Sequence, residues 1–226
     1  MTPAPEQSGP QDPQSATLPA PVLRRTAVAD LALVTTFGAF IVVCGILPGI
    51  PMPGGVPLTL QTFAVVLAGL VLGPRLGLAA AALYLVVGFA GLPVFTGGKS
   101  GLGVLSGPTV GYLLGFPVAA LAAGLLARRV GRTVTSPVAP ADGTLARLWH
   151  AVTRLRVLLV AALVASPVLV HPLGIAGMMW RQGLTLREAA VTDIAFVPGD
   201  VVKSVLAAVV ALAVFRAYPD LLRTRR

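Results

Sequence analysis

Charge is what this chain has least of. Of its 226 residues, 11% are Asp, Glu, Lys or Arg and 56% are hydrophobic. A soluble domain carries about 25% charged residues, so the deficit excludes an ordinary water-facing surface. There is a single cysteine, Cys44, and an intrachain disulfide needs two. No HExxH, CxxC or GxSxG sequence occurs. Zinc-hydrolase, paired-thiol and serine-triad chemistry therefore have no support. The stretch "GGKSGLGVLSG" superficially looks like a phosphate loop, but no glycine precedes Gly98 at the spacing that GxxxxGK[ST] requires. The net charge of +9 could signal nucleic acid. The basic residues instead lie in short segments between apolar runs, which is the pattern of membrane topology.

What is present is apolar sequence in runs. A spanning helix needs about 20 predominantly apolar residues. Six runs approach or reach that length: Ala27–Leu47, Pro57–Leu72, Leu76–Leu92, Val104–Ala127, Val157–Met178 and Asp193–Phe215. The expected fold is an all-α integral membrane protein with six transmembrane helices in residues 23–218. The second and third runs meet at "LGPRLG", where Gly73 and Pro74 break the helix. A polar segment, 128–156, holds Pro137, Pro140 and Gly143 and is expected to be a long loop between four spans and two. Residues 1–22 are rich in Pro, Gln and Ser, which predicts a disordered tail. They lack the basic and apolar regions of a signal peptide, so the first run is expected to stay in the mature protein. Residues 219–226 form a basic tail.

The cations orient the bundle. With the N-terminus inside, the inner segments hold thirteen arginines: Arg24, Arg25, Arg75, Arg128, Arg129, Arg132, Arg147, Arg154, Arg156, Arg216, Arg223, Arg225 and Arg226. The outer segments hold three basic residues, Lys99, Arg181 and Arg187, and Lys203 in the last run completes the 17. The positive-inside rule then places both termini in the cytoplasm.

The last run raises a chemical question. "FVPGDVVKSVLAAVVALAVF" is apolar almost throughout, yet it carries Asp200 and Lys203. Either charge at mid-membrane costs about 2.5–3.5 kcal/mol on insertion scales. At i and i+3 the two share one helix face. In this orientation they lie in the outer half, beside two Gly- and Pro-dense outer loops. Those loops carry Thr59, Gln61, Thr62, Thr96, Ser100, Ser106 and Thr109, with Gly97, Gly98, Gly101 and Gly103 among them. Irregular backbone at membrane depth is tolerated where it lines protein or a water-filled cavity. A polar pocket near the outer face is therefore expected, with Asp200, Lys203, Thr59, Gln61 and Thr96 in its wall. Two plainer readings compete: the charges only neutralise each other, or the glycines only break helices. His171, between Pro167 and Pro172, is either a pocket group or a residue packed at a kink. Thr185 and Glu188 have capping-box spacing and predict a short interfacial helix over the pocket mouth.

Three stretches, "VPLTLQTFAVVLAGLVLGPRLG", "LYLVVGFAGLPVFTGGKSGLGVLSGPTVGYLLGFP" and "FVPGDVVKSVLAAVVA", resemble the BioY family, the biotin-binding S components of energy-coupling-factor (ECF) transporters. The similarity runs from Leu31 to Phe215 and keeps the order of the motifs. The family pattern has Tyr where this chain has His171, Gly where it has Val110, and a Trp replaced by Gly177. The resemblance implies a six-helix S-component bundle in a prokaryotic cell membrane, with biotin bound near the outer face. It implies no bound cofactor and no catalysis. It also implies partners, a transmembrane coupling protein and two ATPases, which suits a chain without a Walker sequence. Biotin has a ureido ring with two N–H donors and a carbonyl, an apolar thiophane and a valerate carboxylate. Asp200 and Lys203 match the ureido group or offset charge, Phe95, Leu102, Tyr112 and Val104 match the apolar part, and Lys99 or the glycine-loop amides of Gly97, Gly98 and Gly101 match the carboxylate.

In the first run small residues recur at i, i+4: Ala32 with Thr36, and Thr35 with Ala39. This spacing permits close helix approach, and the resemblance places the coupling protein on the same helix. The alternative is packing inside the bundle. Two rival functions remain at this level. One is an S component for another vitamin, or a stand-alone oligomeric carrier. The other is an intramembrane enzyme using Asp200 and Lys203 as acid and base, which lacks a further nucleophile.

Overall fold

In a computed structural model the chain is described over residues 26–134 and 144–218. The expected tails, 1–22 and 219–226, lie outside the described residues. Eight α-helices follow in order among the described residues: α1 (Ala27–Ile46), α2 (Gln61–Leu72), α3 (Pro74–Phe89), α4 (Val110–Val134), α5 (Thr144–Leu163), α6 (His171–Gln182), α7 (Leu186–Ile194) and α8 (Val197–Ala217). The described residues hold no strand, only isolated bridges at Ile50–Leu58 and Phe95–Lys99.

Among the described residues, four helical segments are long and apolar enough to cross a membrane: Ala27–Ile46, Val110–Arg128, Trp149–Gln182 and Val197–Ala217. Helices α2 and α3 are apolar but shorter. Each apolar run of the sequence thus appears as helix. Some runs begin later than hydropathy suggests, at Gln61 rather than Pro57 and at Val110 rather than Val104, and others earlier, at Pro74 rather than Leu76. The Pro- and Gly-rich starts are loop, because proline lacks an N–H donor and glycine has a high helix cost.

The segment 128–156, expected as a loop, is helical on both sides of 135–143, which lie outside the described residues. Helix α4 continues to Val134 and α5 starts at Thr144. The signal was periodicity: Leu145, Leu148, Trp149, Val152 and Leu155 recur with helical spacing between the arginines. Helices α5 and α6 join through a π-helical turn, Val164–Val170, that contains Pro167. A proline removes one ladder donor and displaces the preceding turn, and the wider π turn absorbs that defect. Ser166 within this turn and His171 just after it are both buried in the protein interior.

Helix α2 is the axis of the bundle. It packs on α1, α3, α4, α5 and α8, and every residue from Ala64 to Leu72 is buried. Helix α1 lies outermost: 17% of its span is buried, against 61% for the α4 span. Close packing of α4 on α6 depends on Gly177. A Cβ there would stand 2.6 Å from the Gly111 backbone nitrogen, so a larger side chain has no room.

Helix α7 is the short helix expected after "WRQGLT". The Thr185 hydroxyl accepts from the Glu188 backbone N–H, and the Glu188 carboxylate accepts from the Thr185 N–H at 2.8 Å. The Thr185 hydroxyl also donates to the Glu188 carboxylate at 2.7 Å, and this bond first and the backbone N–H bond second hold the Glu188 carboxyl below its ordinary pKa. Beneath α7 a small apolar cluster of Val56, Met178, Ala189 and Phe196 closes that end of the molecule.

Candidate functional site

A cavity opens where α2, α4 and α8 start, lined by residues of all three helices and of the loops before α2 and α4. The first two outer segments of the sequence line it, and the third does not. Loop 47–60 doubles back through paired bonds, Ile50 N–H to Leu58 O at 2.9 Å and Leu58 N–H to Ile50 O at 2.8 Å. That hairpin carries Leu58 and Thr59 to the cavity wall. A second turn is closed by the Phe95 N–H on Lys99 O and the Gly98 N–H on Phe95 O. Gly97 and Gly98 occupy positive φ of 75° and 71° in it, a conformation that side chains disfavour. The turn directs Phe95, Thr96 and Lys99 at the cavity. Val104, Tyr112, Leu113, Phe116 and Phe196 make the remaining wall largely apolar.

One wall is charged. Asp200 is buried on α8 and forms an ion pair with Lys203 one turn on. Its Oδ1 also accepts from the Thr62 hydroxyl at 3.1 Å, and Lys203 Nζ donates to that hydroxyl oxygen at 3.0 Å. Its Oδ2 accepts from Ser166 Oγ at 3.1 Å and faces His171 Nε2 at 3.0 Å. A carboxylate has about four acceptor sites, so Asp200 is saturated by its own protein. Lys203 and Thr62 are consequently the polar groups best placed to meet a ligand, with Asp200 fixing both. Behind this wall His171 Nδ1 faces Asp193 Oδ2 at 2.7 Å, and the Tyr112 hydroxyl donates to Asp193 Oδ1 at 2.6 Å.

The opposite wall is polar but uncharged. Gln61 is buried at the start of α2. Its Oε1 accepts from Thr59 Oγ1 at 3.1 Å and Thr96 Oγ1 at 3.0 Å, and its Nε2 donates to the Tyr84 hydroxyl. Tyr84 in turn stacks edge-on against Phe95, with centroids 5.4 Å apart. A single amide thereby ties α2, α3 and both loops together.

Among the residues expected from sequence, Asp200, Lys203, Gln61, Thr59, Phe95, Thr96, Lys99 and Tyr112 line the cavity. His171 stands behind the lining, reaching it through Asp200. Gly97 borders an adjoining groove with Lys99 and Thr96, Gly98 and Gly101 lie outside the lining, and Leu102 is 66% exposed. A Cβ on Gly97, Gly98 or Gly101 would meet nothing within 4 Å. The 3-10 turn Leu102–Ser106 points Val104 inward and Leu102 outward. Sequence reasoning passed over Asp193, Ser166, Tyr84, Phe116 and Phe196. Asp193 had a legible signal: it is an acid one face-repeat before Asp200, in a chain with 8 acids in all. The exposed face of α1 carries Ala32, Thr35, Thr36 and Ala39, and Thr35 Oγ1 is turned back onto Leu31 O and Ala32 O at 3.0 Å.

The model of the BioY family matches residues 15–220. The chain belongs to the BioY family. The biotin transporter BioY of Rhodobacter capsulatus is 35% identical over 205 residues, covering 87% of this chain and 98% of that protein. That of Rhizobium etli is 35% identical over 191 residues, covering 84% and 95%. A solved structure described as the S-component for biotin from an ECF-type ABC transporter superposes with a TM-score of 0.67 at 26% identity, covering 85% of this chain and 95% of that one. Family and long apolar helices together make this BioY chain a multi-pass membrane protein. The Tyr expected in the family at position 171 is here an imidazole held between two carboxylates.

Proposed function

We propose that the protein is the biotin-binding membrane subunit of a vitamin uptake system, capturing biotin in this cavity at the outer face. The observation that carries the reading is the Lys203–Thr62–Asp200 cluster set into a cavity that also offers aromatic side chains and neutral hydrogen-bonding groups, in a chain similar over most of its length to biotin transporters. Buried ions in a spanning helix are functional by default. Lys203 donates to the ureido carbonyl or offsets charge, while Thr62, Thr59 and Gln61 complete the polar contacts. Phe95, Phe116, Tyr112 and Phe196 pack on the thiophane and the valerate chain. Lys99, exposed at the mouth, suits the carboxylate. Six spans with both termini cytoplasmic fit the thirteen-to-three distribution of cations. The chain transfers biotin with the help of an ECF coupling protein, which docks on the exposed small residues of α1, and of ATPases.

The deciding experiment is to purify the full chain in detergent and identify the co-purifying small molecule by mass spectrometry, then to titrate biotin. Bound biotin supports the proposal. A different bound vitamin, with no affinity for biotin, replaces it with an S component for that vitamin.

A further inference from the structure

His171 is the group the proposed function does not use, and its surroundings determine its proton count. Both ring nitrogens face carboxylate oxygens, Nδ1 toward Asp193 at 2.7 Å and Nε2 toward Asp200 at 3.0 Å. A neutral imidazole has one N–H, and its other nitrogen is an acceptor. One of these short contacts would then set a lone pair against a carboxylate. The groups around the ring come from every packed element: Tyr112 from α4, Ser166 from the π turn, Asp193 from α7, and Asp200 with Lys203 behind it from α8. The ion-pair partner of Asp193 is His171. A buried carboxylate left without a counter-charge is strongly disfavoured. With an imidazolium, two carboxylates face two cations and the buried cluster is neutral. With a neutral ring it carries one uncompensated negative charge.

We propose that His171 and Asp193 are positioning residues that keep a proton on the imidazole, and that this proton holds Asp200, and through it Lys203 and Thr62, in the arrangement that binds ligand. This rests on the reading of the cavity as the biotin site. When the proton leaves, Asp200 Oδ2 loses a charged donor, Asp200 draws more strongly on Lys203, and the lysine is less free to donate to ligand. Biotin binding therefore weakens at alkaline pH, in a range where the biotin carboxylate does not titrate.

The chain has 2 histidines, His150 and His171, and His150 is exposed on α5. The full chain, labelled with ¹⁵N-histidine and bearing His150→Gln, gives the His171 ring signals alone. Expected is an imidazolium with both nitrogens protonated at about pH 7, where a free histidine is mostly neutral. Biotin affinity measured in parallel should fall about tenfold across the pH at which that signal is lost, the scale of one charge-assisted hydrogen bond. Asp193→Asn removes the charge that retains the proton. It should render the ring neutral at about pH 7 and flatten the pH dependence of binding to less than about twofold. His171→Gln, with melting followed to confirm folding, should flatten the profile as well. A neutral His171 ring at about pH 7 in the unsubstituted site overturns the proposal. So does a pH profile that Asp193→Asn leaves unchanged. Imidazolium signals intact in a protein that binds no biotin at any pH would overturn the biotin reading of the cavity, and the coupling with it, while leaving the bridged proton in place.

Discussion

The two walls of the cavity solve the same problem with different chemistry. On the α8 side Asp200, Lys203, His171 and Asp193 are charged groups, each buried. On the α2 side Gln61 alone organises Thr59, Thr96 and Tyr84 through neutral hydrogen bonds. A charged wall offers strong, directed bonds to a ligand, but removal of one member exposes the others to the full penalty of an unpaired buried ion. A neutral wall offers weaker bonds, and a lost partner costs about 1–3 kcal/mol. The asymmetry assigns roles: the α8 side supplies affinity, and the α2 side supplies shape and holds the loops in place.

The most severe way to break this contrast is at the ion pair. Lys203→Met or Asp200→Asn should each weaken biotin binding about tenfold or more and destabilise the protein by about 3–5 kcal/mol. The double variant restores charge balance, so it should regain most of the stability and little of the affinity, as read by melting and by titration. Full biotin binding in the double variant would reduce the charged wall to a structural pair. Next comes the neutral wall. Gln61→Leu strands three hydroxyls and should cost about 1–3 kcal/mol in stability, with a proportionate loss of binding because both loops shift. A larger loss than that of Lys203→Met would reverse the assignment of roles.

Smaller effects test the supports of each wall. Gly98→Val forces a β-branched residue into a positive φ of 71°, at about 1–3 kcal/mol. Since a Cβ there meets nothing, melting and binding should fall together. Loss of binding with an unchanged melting temperature would put the Gly98 backbone on the ligand. On the α8 side the cap of α7 has its own pH dependence. The Glu188 carboxyl is lowered in the folded state by Thr185, so its stabilisation is complete above the ordinary glutamate pKa. It is lost as pH falls through the lowered folded value. Glu188→Gln should remove that acid-side dependence, read as amide exchange at the α7 N-terminus. Ala39→Leu on the exposed face of α1 should alter neither wall. Melting should stay within about 0.5 kcal/mol and biotin titration should be unchanged, while uptake by cells falls if α1 is the docking face.

The sequence was most legible where physics acts locally. Each apolar run became a helix because a low-dielectric surrounding obliges the backbone to satisfy itself. The Thr185–Glu188 cap needs contacts only within one turn, and the Asp200–Lys203 pair only the i, i+3 geometry of α8. It was least legible where a residue's role depends on what faces it. Leu102 and Val104 are two apart in one short turn, yet Leu102 is 66% exposed and Val104 lines the cavity. The polar stretch 128–156 reads as loop because its arginines mask the helical recurrence of Leu145, Leu148 and Trp149, which lie on α5.

By itself, then, the sequence determined a membrane-embedded helical chain, its family resemblance, and the placing of two unlike charges among apolar neighbours. Those follow from composition and from spacing along one chain. Only the tertiary structure decided that Asp193, 7 positions before Asp200 and across the α7–α8 turn, shares an imidazole with it. It alone decided that Asp200 spends its acceptor sites on Ser166, His171, Thr62 and Lys203. Those partners come from α2, the π turn, α6 and α8, and a hydrogen bond requires a distance and a direction that no spacing in sequence can fix.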